Sequence, residues 1–160
     1  MNMNDIILLI LLTFMPFLEL RASIPYGIFR TELSVLTVFL ICIVANIVLV
    51  PFIWFFLNKL MYIFLKVEFI KKNYDKIIKS NQKKVEPYVE KYGKIGLALF
   101  IGIPLPGSGV YSGGLGAYLL GFDFKDYVRA AIIGVLISGI AVTLISVSGN
   151  GAWNLFIKVI

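Results

Sequence analysis

Four apolar stretches alternate with polar ones along the chain, and they are of two kinds. Ser34–Leu57 and Ala130–Ser148 are uncharged runs of 24 and 19 residues. Each is long enough for a helix across a hydrocarbon core of ~30 Å. Pro51 is placed to kink the first, and Asn46 is its one strongly polar side chain. In the second, Ala130, Gly134 and Ser138 recur every fourth residue, a seam of small side chains along which helix backbones can approach closely. The other two stretches are broken. Ile95–Phe122 holds 28 residues without a formal charge and eight of the chain's fourteen glycines, yet Pro104, Pro106, Gly107, Ser108 and Gly109 interrupt it. Proline removes a backbone donor and clashes with the turn before it, so a helix does not run straight through. The pattern predicts two half-helices, Ile95–Leu105 and Val110–Gly121, each roughly 16–18 Å long at a rise of about 1.5 Å per residue. Backbone groups freed inside a membrane survive only when buried in protein or facing a polar cavity. A re-entrant hairpin is therefore preferred over a broken crossing.

The first 33 residues repeat that plan. Met1–Asp5 is polar and lacks the positive leader of a signal peptide. Ile6–Leu18 is apolar but too short to span. Pro16, Glu19, Arg21 and Pro25 then fall where a spanning helix would have its second half, which predicts a second half-membrane hairpin over Ile6–Phe29. Arg30, Thr31 and Glu32 make a polar corner, with Thr31 or Ser34 as helix cap. Asp123–Arg129 makes the corresponding corner later. The reading is an all-α integral membrane protein: two re-entrant broken-helix hairpins and two full transmembrane helices, arranged as an inverted repeat. It forms one membrane domain over 1–160, with half-repeats at 1–57 and 95–160 and a basic linker at 58–94. In the linker, Phe69, Ile70, Tyr74, Ile77 and Ile78 recur at helical spacing among lysines, predicting an amphipathic interfacial helix. Trp54 and Tyr62 suit an aromatic belt, and the tail Gly149–Ile160 an interfacial anchor.

Composition narrows the class. With 59% hydrophobic residues and a mean hydropathy of +0.92, this is a membrane chain. The net charge of +6 resides in the linker, where ten lysines face four acids. Such a loop is expected in the cytoplasm, in a prokaryotic plasma membrane, and its lysines are expected at anionic lipid headgroups and not on nucleic acid. There is no histidine, hence no Ser-His or Cys-His nucleophile and none of the commonest metal ligand. Cys42 stands alone in an apolar run. No enzyme, metal or cofactor is expected, and so small a unit is expected to pair with a second copy.

Glu19 and Arg21 carry the strongest chemistry, because ionisable groups inside a membrane are costly and by default paired and functional. Two residues apart, they would lie on different sides of a helix but on one face of an extended segment. The following Ser23-Ile24-Pro25 favours the extended form. A buried carboxylate can take up and release a proton, and arginine can hold an anionic headgroup in a bidentate grip. Opposite them, Ser108, Tyr111 and Ser112 offer hydroxyls beside the amides of Gly107 and Gly109, where a half-helix start would aim N–H groups at an anion. Arg30 and Arg129 lie at the hairpin exits, and Asn46 suits a bond to a neighbouring helix or a substrate. Soluble-protein motifs fail: Ser108 stands where a phosphate loop needs lysine, and no nucleophile elbow is formed.

With Glu19-Leu20-Arg21, Ile24-Pro25 and Pro104-Leu105-Pro106-Gly107-Ser108-Gly109 in view, the chain resembles the small multidrug export proteins over nearly its whole length. More remotely it is similar to the DedA/VTT superfamily, whose members have two opposed re-entrant hairpins and are linked to lipid-carrier flipping. The resemblance implies a transporter. Ser108 stands where DedA hairpins often carry a second acid, so proton coupling carries over only to Glu19. The residue reading adds an ion-gradient-driven transporter or flippase, with a proton or sodium ion as coupling ion. Its anionic substrate, such as a lipid-linked phosphate, would pass a site made of Glu19, Arg21, Pro25, Asn46, Pro104, Pro106, Gly107, Ser108, Gly109, Tyr111, Ser112 and Arg129. Export of small cationic drugs and a non-transporting assembly role are the alternatives.

Overall fold

Helix ends follow the chemistry of the residues found there. The computed structural model describes residues 3–64, 87, 89, 92–105 and 107–148. Among these, six helices stand out: α1 (Met3–Phe14), α2 (Glu19–Arg30), α3 (Val35–Phe64), α4 (Lys94–Gly102), α5 (Val110–Leu119) and α6 (Phe124–Val147). Ser34 is the cap of α3, its hydroxyl accepting the Thr37 N–H at 3.2 Å. Thr31 turns its hydroxyl back to the Gly27 carbonyl instead, at 2.6 Å. At the end of α5, Gly121 takes a left-handed φ of 74°. This lets Phe122 N–H reach the Ala117 carbonyl and Gly121 N–H the Tyr118 carbonyl, which satisfies the last turn.

α3, over Val35–Lys59, and α6 are the two helices long and apolar enough to cross a membrane among the described residues. α6 starts at Phe124, so most of the expected corner Asp123–Arg129 forms its first turns. There Asp126 pairs with Lys94 of α4 at 2.5 Å. The expected amphipathic linker helix lies almost wholly outside the described residues, as do Pro106 and the tail.

The two long apolar helices, α3 and α6, are antiparallel. Near the start of α3, Ile43 and Phe39 pack on Gly139; near its end, Trp54 stacks on Tyr127 with ring centroids 5.4 Å apart. Each short pair is a hairpin of helices against this central pair. α1 and α2 pack together and both lie on α3, while α4 and α5 pack together and both lie on α6. Each hairpin also reaches across, α2 to α6 and α5 to α3. Exchanging the first three helices with the last three leaves this set of neighbours unchanged.

The small-residue seam of α6 does what its spacing predicts. Ala130, Gly134 and Ser138 are all buried, and a Cβ on Gly134 would collide with Ile101 and the Ala98 carbonyl of α4. The opposite faces are apolar and exposed: Leu36, Leu40, Val44, Val48 and Phe52 form one row on α3, and Ile133, Ile137, Ile140 and Leu144 line α6. Such rows suit lipid tails.

Candidate functional site at the meeting of the hairpin tips

The break between α4 and α5 leaves carbonyls free at the end of one helix and amides free at the start of the next. Ser108 N–H closes a turn onto the Leu105 carbonyl at 3.2 Å, and Gly107 takes φ 83° within it. Glycine alone adopts this conformation without strain. Ser112 Oγ accepts the Gly109 N–H at 3.1 Å and donates to the Gly107 carbonyl at 2.8 Å. The Ser108 hydroxyl lies 2.7 Å from the Ile103 carbonyl and 2.8 Å from that of Leu105.

The remaining groups are met by the tip of the other hairpin. Glu19 places its carboxylate over the start of α5, accepting N–H bonds from Val110 at 3.3 Å and Tyr111 at 3.4 Å. Arg21 turns to the end of α4. Its guanidinium donates to the carbonyls of Ile101 at 3.3 Å, Ile103 at 2.8 Å and Ser108. The same guanidinium holds Glu19 at 3.0 Å. A negative group thus sits at a helix start and a positive one at a helix end, each matched to the local helix dipole. In return, Tyr111 donates to the Phe14 carbonyl at the end of α1, at 2.5 Å. Both charged residues are buried, Glu19 to 4% and Arg21 to 5% exposure.

The extended conformation expected for Glu19–Arg21 is corrected. The segment is the first turn of α2, and Pro25 lies inside the helix. The pair still meets, at 3.0 Å, with Glu19 at a left-handed φ of 46° and Phe17 before it at 73°. Glu19 therefore does not have the side-chain direction of a regular helical residue. Bonds to the second hairpin override the local preference of residues before proline.

Between the tips lies a cleft of about 40 Å³, lined by Pro16, Phe17, Glu19, Arg21, Gly107, Ser108, Gly109, Tyr111 and Ser112. Seven of the expected residues come together here. Pro104 is half-buried in the break, and Pro25 is buried within α2. Asn46 is fully buried on α3 and Arg129 is exposed on α6, neither in the cleft lining. Pro16 and Phe17 were missed; the apolar tip of the first hairpin offered no chemistry to single them out. Tyr127 was also missed: it is fully buried and donates to the Val110 carbonyl at 2.8 Å, holding the start of α5. Among the described residues, no three His, Cys, Asp or Glu side chains lie together as a metal site would need.

A model of the family described as "Putative small multi-drug export protein" matches residues 19–141. The chain belongs to that family. The match opens on Glu19 and takes in the ion pair, the break, all of α3 and the greater part of α6. No curated protein and no solved structure matches the chain. The family's name describes export, which places the chain among membrane transporters in agreement with its two long apolar helices.

Proposed function

We propose that this transporter moves an anionic substrate, a lipid-linked phosphate foremost, past Arg21 at the point where two re-entrant hairpins meet. The observation that carries this reading is the resident anion. The Glu19 carboxylate rests on the amides of Val110 and Tyr111 with the Arg21 guanidinium beside it. These are the donors that a phosphate oxygen would use. Glu19 is then a place-holder: protonated, it loosens its grip and yields the amides and Arg21 to the substrate, which links movement to a proton gradient. Sodium is the rival coupling ion.

The proposed inverted repeat draws support from the neighbour set that survives exchange of the two halves, and from Ile101, next to the tip of the second hairpin, packing on Gly134 about half-way along α6. A cleft of about 40 Å³ has room for little more than one water molecule, against roughly 300 Å³ or more for an organic ligand. The tips must therefore separate for a headgroup to enter. Membrane lipids supply the substrate in this reading. The lysine-rich linker faces the cytoplasm of a prokaryotic cell, and a second copy completes the assembly.

Liposomes holding the purified protein and a fluorescent prenyl phosphate test this. Arg21→Gln should abolish flux, while Arg21→Lys should only weaken it, since the charge survives without the bidentate fork. Glu19→Gln should bind the phosphate more tightly and lose the pH response of transport. Normal flux by Arg21→Gln, with Glu19→Gln alone inactive toward a drug cation, would overturn the anion reading in favour of the export of small cationic drugs.

A further inference from the structure

Five buried polar atoms have no hydrogen-bond partner among the described residues and belong to none of the bonds above. One is the hydroxyl of Thr143, further along α6; the other four are both amide atoms of Asn46, the hydroxyl of Ser138 and Nε of Arg21. Asn46 is 0% and Ser138 1% exposed. In a membrane interior an unpaired polar group is expensive, and leucine or alanine would fill either position without that cost.

The helix register brings these residues to one level. Ile43 packs on Gly139 and Trp54 stacks on Tyr127. Asn46 of α3 therefore stands level with residues 135 and 136 of α6, within a turn of Ser138. Arg21 donates to the Ile101 carbonyl, and Ile101 packs on Gly134, one turn before Ser138. α2 lies against both α3 and α6. The terminal nitrogens of Arg21 serve Glu19 and the hairpin break, and its buried Nε is left over.

We propose that Asn46, Ser138 and Nε of Arg21 form an inner polar station, occupied by water molecules, that continues the transport path beyond the cleft. Water suits the donor set. An amide and a hydroxyl can each donate and accept, Nε can only donate, and a small bridging molecule with both capacities completes all three. A cation would face the Arg21 charge with no carboxylate on Asn46 or Ser138 to hold it. The placement on a transport path rests on the proposed function; the presence of water does not.

Two experiments on the full chain in liposomes separate these claims. Ser138→Cys and Ala131→Cys, each with Cys42→Ala, are transferred to D2O and the S–H stretch is followed in the infrared. A thiol exchanges its proton quickly only where water reaches it, and D2O passes openings too narrow for a larger reagent. Ala131 is 0% exposed on the same helix and two turns earlier, so it serves as the dry reference. Fast loss of the S–H band at position 138 with slow loss at 131 is expected; slow loss at 138, or equal rates at both, overturns the station. In the second experiment, Asn46→Leu should keep binding the prenyl phosphate at the cleft but lose its flux. Unchanged flux would remove Asn46 from the path. Failure of the wild-type chain to bind the phosphate at all would instead count against the proposed function and leave the exchange result standing.

Discussion

Gly109 is the residue on which the approach of the two tips depends. A Cβ there would collide with both carboxylate oxygens of Glu19, and the carboxylate cannot retreat without leaving the amides of Val110 and Tyr111. Gly109→Ala should therefore cost about 1–3 kcal/mol, the scale of a buried group left unsatisfied, read as a lower unfolding temperature in detergent. The Glu19→Gln variant provides the comparison. If loss of the carboxylate's grip is the cause, adding Gly109→Ala to Glu19→Gln should cost less than Gly109→Ala alone, because there is less left to displace.

At the scale of elements, the hairpins stabilise one another's ends. Hairpin one supplies Arg21 to the end of α4 and Glu19 to the start of α5; hairpin two supplies Tyr111 to the end of α1. Each short helix would otherwise carry unmet backbone groups into an apolar interior. Tyr111→Phe removes one such bond while keeping the ring. It should destabilise the protein by about 0.5–1.5 kcal/mol in thermal unfolding. A Tyr111→Phe protein as stable as the parent would mean that the Phe14 carbonyl is met in another way. The seam of Ala130, Gly134 and Ser138 was legible from spacing alone, because helix periodicity decides which residues share a face. The helical state of Glu19–Arg30 was not. Its decisive partners are about 80 to 90 positions away in the chain, beyond any local rule.

For the whole molecule, the question is the side from which each hairpin enters. The open ends of α1 and α2 lie near the start of α3, where Gly27 packs on Val38. Those of α4 and α5 lie near the start of α6, through Lys94–Asp126 and the rings of Trp54 and Tyr118. Single cysteines near Asn81 and at Lys125, with Cys42 removed, should both label from the cytoplasmic side, since the lysine-dense linker is expected there. Labelling at Lys125 from outside would mean that Ile95–Phe122 crosses, and the inverted repeat would be lost.

What the amino-acid order determined by itself was the inventory: two clean crossings, two interrupted stretches and one acid–base pair inside an apolar region. Length, charge and proline placement are local quantities, and the solvation cost of peptide groups in hydrocarbon converts them directly into elements. The tertiary structure decided where the pair points. Read alone, the amides after Gly107 promised a positive end open to an anion, but Glu19 already occupies it and Arg21 is shared among three carbonyls. It also decided that Asn46 lies deep between the crossings while Arg129 faces outward. The physical reason is common to all of these. A buried charge settles wherever the unmet dipoles of another segment are, and only the folded chain brings those dipoles within reach.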